Sequence, residues 1–458
     1  MASGDRRRDF YEIIEKCSMS SLPGLLIIAV FGVFAALMMS RRMPALLALP
    51  CMAVLIATIS GAFFDWSSLA ADAAEPRSFR SFLEMHVLTD GAAKLAKPMM
   101  YAVFGAILSQ LVMRTGIAQR IVSVAAEYAG DRKMLLAGAL TTVVAVCFTS
   151  VTGLGAVIML GSLALPIMLG AGLSAEFSAC LMLFAIALGG VFNPAILGFY
   201  TDTLKLDLET VKHFIKVYGG LLALTTLLFF LLEGRKERES FAWAVTVDEP
   251  PRAGSISMLA LLTPILPIAL IMFAKWEIIP AFLAGILYGA LTTDASRALA
   301  NITAATLEGL KDIGPVIGLF MGIGMALNAM SAEPTKTVMA PFLEAIIPTT
   351  SLGYLLFFTV LAPLALYRGP LNFFGLGAGI AGLLLGANLM PVVAIAAAYL
   401  AVGQIQGVCD PTNTSNVWLA TFSKSSTERF LKRTLPYVWG FVAAGLTYAA
   451  LGAGVMNR

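Results

Sequence analysis

The chain has 458 residues, of which 59% are hydrophobic and only 13% charged, with a formal net charge of +3. No water-soluble domain is so poor in charge, and its basic residues are scattered instead of forming one patch, which excludes nucleic acid as a partner. His86, His213 and the cysteines Cys17, Cys51, Cys147, Cys180 and Cys409 show no metal-ligand spacing, so no metal centre or cofactor is expected and the cysteines read as small buried hydrophobes.

Residues 1–21, with Arg6, Arg7 and Arg8, are too polar for a signal-peptide core and read as a retained surface arm. From there the chain is a string of apolar runs, to be measured against the roughly 20 residues that cross a hydrocarbon core. Spans are predicted near 22–40, 44–63, 98–113, 134–148, 176–198 and 218–234, then near 256–274, 279–293, 313–331, 350–366, 390–408 and 435–454. The fold class is therefore an all-α polytopic membrane protein of about 11–12 spans. The charged stretch 235–255 reads as a linker between two transporter repeats, 22–234 and 256–458.

A shift of 217 residues aligns the two halves: Lys94 with Lys311, Pro98 with Pro315, Gly105 with Gly322, Leu154 with Leu371, Gly190 with Gly407 and Pro194 with Pro411. Coincidences at glycine and proline on a single shift point to duplication. Lys94 and Lys311 read as interfacial anchors, and both histidines as loop residues.

In each half a glycine-rich segment opens an apolar stretch too short to cross twice. In the first it is Thr149-Ser150-Val151-Thr152-Gly153-Leu154-Gly155; in the second it is Arg368-Gly369-Pro370-Leu371-Asn372 and the glycines up to Gly379. Re-entrant hairpins fit these stretches. A helix follows each hairpin and should unwind at Asn193-Pro194 or Asp410-Pro411, because proline donates no backbone hydrogen bond and crowds the preceding turn. Backbone freed in hydrocarbon costs several kcal/mol per group unless protein, water or a ligand satisfies it, so broken helices are kept where they line a cavity.

Those breaks carry the expected chemistry. Helix N-termini suit an anion, while unwound carbonyls and small polar side chains suit a hard cation. Substrate binding is assigned to Thr149, Ser150, Thr152, Gly153, Gly155, Asn193, Arg368, Gly369, Asn372, Thr412 and Asn413. Arg368 has the fork that matches a carboxylate. Cation coupling is assigned to Asp410, Thr414, Ser415 and Asn416, and to Asp202. Asp410 is singled out because an acid within a span is costly, and its counterpart Asn193 cannot titrate.

With these motifs the chain resembles the ion transporter superfamily, in its citrate-transporter-like and gluconate-permease-like branches. The resemblance implies an elevator-type secondary carrier, a homodimer, that takes up carboxylates such as citrate, a dicarboxylate or a sugar acid with a cation, here across a bacterial cytoplasmic membrane. Sodium-coupled members typically show Ser-Asn-Thr at both hairpin tips. Thr149-Ser150-Val151-Thr152 and Arg368-Gly369-Pro370 stand there instead, so proton and sodium both remain open as the coupling ion. The superfamily's repeats are inverted, whereas six spans per half would make them parallel. The alternatives are a cation/proton or inorganic-anion antiporter of the same superfamily and a channel. An enzyme is not expected: the chain has no acidic pair for prenyl diphosphates, no histidine cluster and no Gly-Lys for a Walker loop.

Overall fold

The computed structural model describes residues 4–68, 76–130, 132–237 and 256–457, with side chains from residue 22 onward. Most of the 235–255 linker lies outside the described residues, as do the side chains of the N-terminal arm. All of the regular structure described is helical.

The first half comprises α1 (Gly4–Met39), α2 (Ala45–Ala62), α3 (Phe79–Arg114, with a π-turn at Phe82–Thr89), α4 (Ile117–Ala129), α5 (Lys133–Phe148), α6 (Leu154–Gly170), α7 (Ala175–Val191), α8 (Pro194–Leu204) and α9 (Leu208–Gly234). The second half repeats that succession with α10 (Leu266–Phe273), α11 (Ile278–Asp294), α12 (Ala298–Ser331), α13 (Glu333–Ile346), α14 (Ser351–Leu361), α15 (Gly377–Ala387), α16 (Val392–Cys409), α17 (Thr414–Phe422) and α18 (Thr427–Thr447).

Among the described residues, eight helical segments are long and apolar enough to cross a membrane, or nine with the bent pair α7–α8. The difference from the twelve expected runs lies in the shorter apolar helices α5 and α11 and in the run 256–274; α6 and α15, also short, fall in the stretches expected as hairpins. There Pro264 and Pro267 leave only a 3-10 turn, Met258–Leu262, and the eight residues of α10. Other helices begin well before their apolar runs. His86 lies inside α3 and His213 inside α9, which corrects their reading as loop residues, while Lys94 lies on α3 and Lys311, exposed, on α12. The Nζ of Lys94 donates to Asn328 Oδ1 at 2.6 Å, and the amide of Asn328 in turn donates to the His86 carbonyl, so Lys94 joins α3 to α12.

Two packed groups of helices result. In one, α12 lies against α2, α3 and α15; in the other, α7 lies against α5, α9, α16 and α18. Both rely on backbones brought close by glycine. A Cβ at Gly309 of α12 would come within 2.9 Å of the Ile107 amide of α3, and one at Gly189 of α7 would run into the Ala145 carbonyl of α5. The cysteine expectation divides: Cys147, Cys180 and Cys409 are buried, while Cys51 is exposed on α2.

Candidate functional site

Each broken helix restarts on an asparagine cap. Asn193 Oδ1 accepts from the Ala195 amide at 3.0 Å with Pro194 in the first turn, and α8 leaves α7 at 54°. Asn413 Oδ1 accepts from the Ser415 amide at 3.2 Å and starts α17 four residues after α16 ends. A cap of this kind satisfies one of the orphan amides of a new helix.

The residues before the two break prolines, Asn193 and Asp410, tie each break to its own hairpin. Asn193, buried, donates through Nδ2 to the carbonyls of Phe148 at 3.1 Å and Val151 at 3.4 Å. Asp410, also buried, accepts from the amides of Tyr367 at 3.0 Å and Arg368 at 3.2 Å, and from the amide and hydroxyl of Thr412 at 2.8 and 2.7 Å. Tyr367 and Arg368 both adopt φ of +56°, a left-handed conformation that non-glycine residues rarely take. The carboxylate of Asp410 is what rewards that strain, because it collects both of their amides.

Between the two breaks lies a cavity of about 170 Å³. Ile186, Gly190, Val191 and Tyr200 wall it from the first half; Gly403, Gln404, Gln406, Gly407 and Asn413 wall it from the second, and Phe374 from the second hairpin. Tyr200 and Tyr218 hold its sides together by donating to the Tyr399 and Ala397 carbonyls of α16 at 3.2 and 3.1 Å. The rings of Phe373 and Phe374 lie 5.0 and 4.8 Å from that of Phe199, which seats the second hairpin on α8. No charged side chain lines the cavity. Its polar lining is made of amide side chains and the tyrosines Tyr200 and Tyr218, and the side-chain amide of Gln406 makes no hydrogen bond to any described residue. A larger groove of about 670 Å³ runs between α5, α7 and α9, but it is walled by the first half alone and opens beside the half-exposed Leu227.

The residues assigned from sequence fall into separate places. Asn413 lines the cavity, whereas Asn193, Asp410 and Thr412 brace the breaks behind it. Thr149 and Ser150 donate to the Pro264 carbonyl, fastening the first hairpin to the segment before α10. The Thr152 carbonyl accepts from Ser109 Oγ at 3.1 Å, and Gly153, at φ +92°, turns the chain into α6, near whose start Gly155 lies. Gly369 is packed against the Leu364 carbonyl. Arg368 contributes its backbone; its guanidinium has no hydrogen bond or ion pair with a described residue. Asp202 stands at the end of α8, accepting from the Tyr101 hydroxyl at 2.8 Å with Lys97 Nζ at 3.9 Å. Thr414 is exposed and Ser415 half-buried. Asn372 and Asn416 are buried, and each keeps one polar atom, Nδ2 and Oδ1 respectively, without a partner among the described residues. Such atoms cost about 1–3 kcal/mol each when nothing fills them.

Gln404 and Gln406 belong to the polar run before Asp410, but only the fold turns them toward a cavity. Tyr200 and Tyr218 gave no signal in the sequence.

No family model matches the sequence, and no curated relative does. Among solved structures, the fold is similar to that of the Alcanivorax borkumensis YdaH transporter, which is described as having an unusual topology. The TM-score is 0.55 over 89% of this chain and 97% of that one, at 15% identity. The likeness is one of fold: an all-α, multi-pass membrane architecture.

Proposed function

We propose that the protein is a secondary active transporter that carries a small organic anion, such as citrate, a dicarboxylate or a sugar acid, together with a cation across a bacterial cytoplasmic membrane. The observation that carries this reading is the cavity walled by both helix breaks. It is small beside the roughly 300–1,000 Å³ of sites for drug-sized ligands, which limits the cargo to a small solute. Its free donor is the side-chain amide of Gln406, with that of Gln404 beside it, since Asn413 Nδ2 already donates to the Gln406 and Gly407 carbonyls; the first turns of α8 and α17 beside the cavity add partial positive charge suited to a carboxylate. In this reading the homodimer moves its cargo by sliding the group around α7 and α16 against the group around α3 and α12.

The test is uptake of radiolabelled succinate, citrate and gluconate by proteoliposomes holding the full chain, under an imposed pH or sodium gradient. Saturable uptake of one of these compounds, weakened in apparent affinity by Gln406→Leu, is expected. Uptake that responds to no carboxylate, alongside exchange of cations, would replace this reading with the antiporter.

A further inference from the structure

The groove of about 670 Å³ between α5, α7 and α9 has no part in the site described above. Small residues open it, Gly138 and Ala145 on α5 and Gly220 and Ala223 on α9. It follows α9 lengthwise. At one end stand Lys216 and Phe192, onto whose ring a Cβ on Gly219 would fall; at the other is Phe230, 3.6 Å from where a Cβ on Gly138 would lie. Between Lys216 and Phe230 the helix rises about 21 Å at 1.5 Å per residue. One leaflet of a bilayer contributes about 15 Å of hydrocarbon, so the groove is long enough for a single acyl chain.

Its walls offer little to a water-soluble solute. Four threonines line it, and each returns its hydroxyl to a backbone carbonyl of its own helix or helix end: Thr141 to Ala137 at 2.7 Å, Thr142 to Gly138 at 2.8 Å, Thr149 to Val146 at 2.7 Å and Thr226 to Leu222 at 2.8 Å. Hydroxyls used in this way leave an apolar surface. The groove also opens on the side that meets lipid, since Leu224, Leu227, Leu228 and Leu231 are exposed on α9, a helix long and apolar enough to cross the membrane.

The one charged residue lining the groove is Lys216, and it stands at the edge of the hydrocarbon: beyond it α9 carries no charge until Glu233. Lys216 is exposed and makes no ion pair or hydrogen bond with a described residue. The other titratable side chains at this end of α9 already have partners. Lys212, buried, meets Glu209 at 3.0 Å; Asp207 caps the helix by accepting from the Thr210 amide at 2.7 Å; His213 lies 2.5 Å from the Tyr448 hydroxyl.

We propose that this groove binds an anionic phospholipid, with one acyl chain along α9 and the phosphate at the Lys216 ammonium. A helical side chain leans toward the N-terminus of its helix, and a lysine stem lies along apolar surface while its head seeks the interface, so the ammonium reaches to headgroup level. There it holds phosphate as a point charge. A second copy of the chain is a poorer occupant, because pressing it onto this face would take an unpaired ammonium out of water. The bound lipid lies against Phe192, the residue before Asn193, and so touches the first helix break. The proposal is independent of the transporter reading.

The experiment is native mass spectrometry of the full chain released from detergent with equal amounts of phosphatidylglycerol and phosphatidylcholine bearing the same acyl chains. The wild type should favour phosphatidylglycerol about fivefold, the equivalent of the roughly 1 kcal/mol that a basic residue gains at an anionic lipid surface. Lys216→Gln should bring the ratio close to one while still binding lipid, and Lys216→Arg should keep the preference. Gly220→Leu fills the groove at a position where an added Cβ meets nothing within 4 Å, and should reduce the adducts of both lipids. Ala223→Leu serves where that variant does not fold. Equal binding of the two lipids by the wild type, a preference that survives Lys216→Gln, or undiminished lipid adducts on both groove-filling variants would overturn the proposal. A wild-type dimer that Gly220→Leu splits into monomers would overturn it in favour of a second copy.

Discussion

Asn193 and Asp410 sit at matching places, immediately before the prolines of the two helix breaks, and bond to their hairpins with opposite polarity. Asn193 gives hydrogen bonds to two carbonyls, of Phe148 and Val151; Asp410 receives them from two amides, of Tyr367 and Arg368. The two halves thus share a brace at the break and exchange donor for acceptor, because the second hairpin turns through two left-handed residues that aim their N–H groups at the break.

That polarity makes the two side chains poor substitutes for each other. Asp410→Asn would set an NH₂ against an amide donor and leave a buried N–H unpaired, at a cost of about 1–3 kcal/mol. Asn193→Asp would press a carboxylate onto two carbonyls and should cost more. Thermal unfolding in detergent should rank the variants in that order below wild type. An Asp410→Asn protein as stable as wild type would show that the four donors are not held by its charge.

Neighbouring glycines of α7 should separate packing from binding. A Cβ on Gly189 collides with the Ala145 carbonyl, whereas one on Gly190 or Gly407 meets nothing within 4 Å and enters the cavity. Gly189→Ala is expected to lower the melting temperature. Gly190→Val and Gly407→Val should leave the unliganded protein as stable as before and abolish the stabilisation that a bound carboxylate gives, which is about 2.7 kcal/mol at a hundred times its dissociation constant. Thermal-shift assays with and without succinate or citrate read both effects.

Arg433 of α18 bridges two carboxylates, Glu233 at 2.9 Å and Glu237 at 3.1 Å, whose side chains are 9% and 6% exposed. Glu237 also accepts from the amide and hydroxyl of Ser174, the cap of α7, so one arginine joins α7, α9 and α18. Arg433→Met leaves two nearly buried acids short of a partner and should cost about 3 kcal/mol. Arg433→Lys should recover only part of it, since an ammonium lacks the planar fork. Denaturation followed by tryptophan fluorescence would measure both.

Cysteine accessibility checks the packing directly. Cys51 is exposed on α2, whereas Cys147, Cys180 and Cys409 are buried, and burial blocks the approach of a reagent to the thiol. A small, membrane-permeant maleimide should label Cys51 in the folded protein and reach the other three after denaturation, as read by peptide mass spectrometry.

What the sequence determined by itself was the local physics. Apolar runs in hydrocarbon must be helical, proline after Asn193 and Asp410 must interrupt those helices, and glycine at Gly153 permits the left-handed turn into α6. The two breaks were legible because each depends on residues within a few positions of one another. What the tertiary structure decided were relationships between residues far apart. Gln110 meets Asp312 across 202 positions, Lys94 meets Asn328 across 234, and Tyr200 reaches the Tyr399 carbonyl across 199. The partners that make Asp410 a brace, the amides of Tyr367 and Arg368, lie more than forty positions before it, and composition near the acid cannot reveal them.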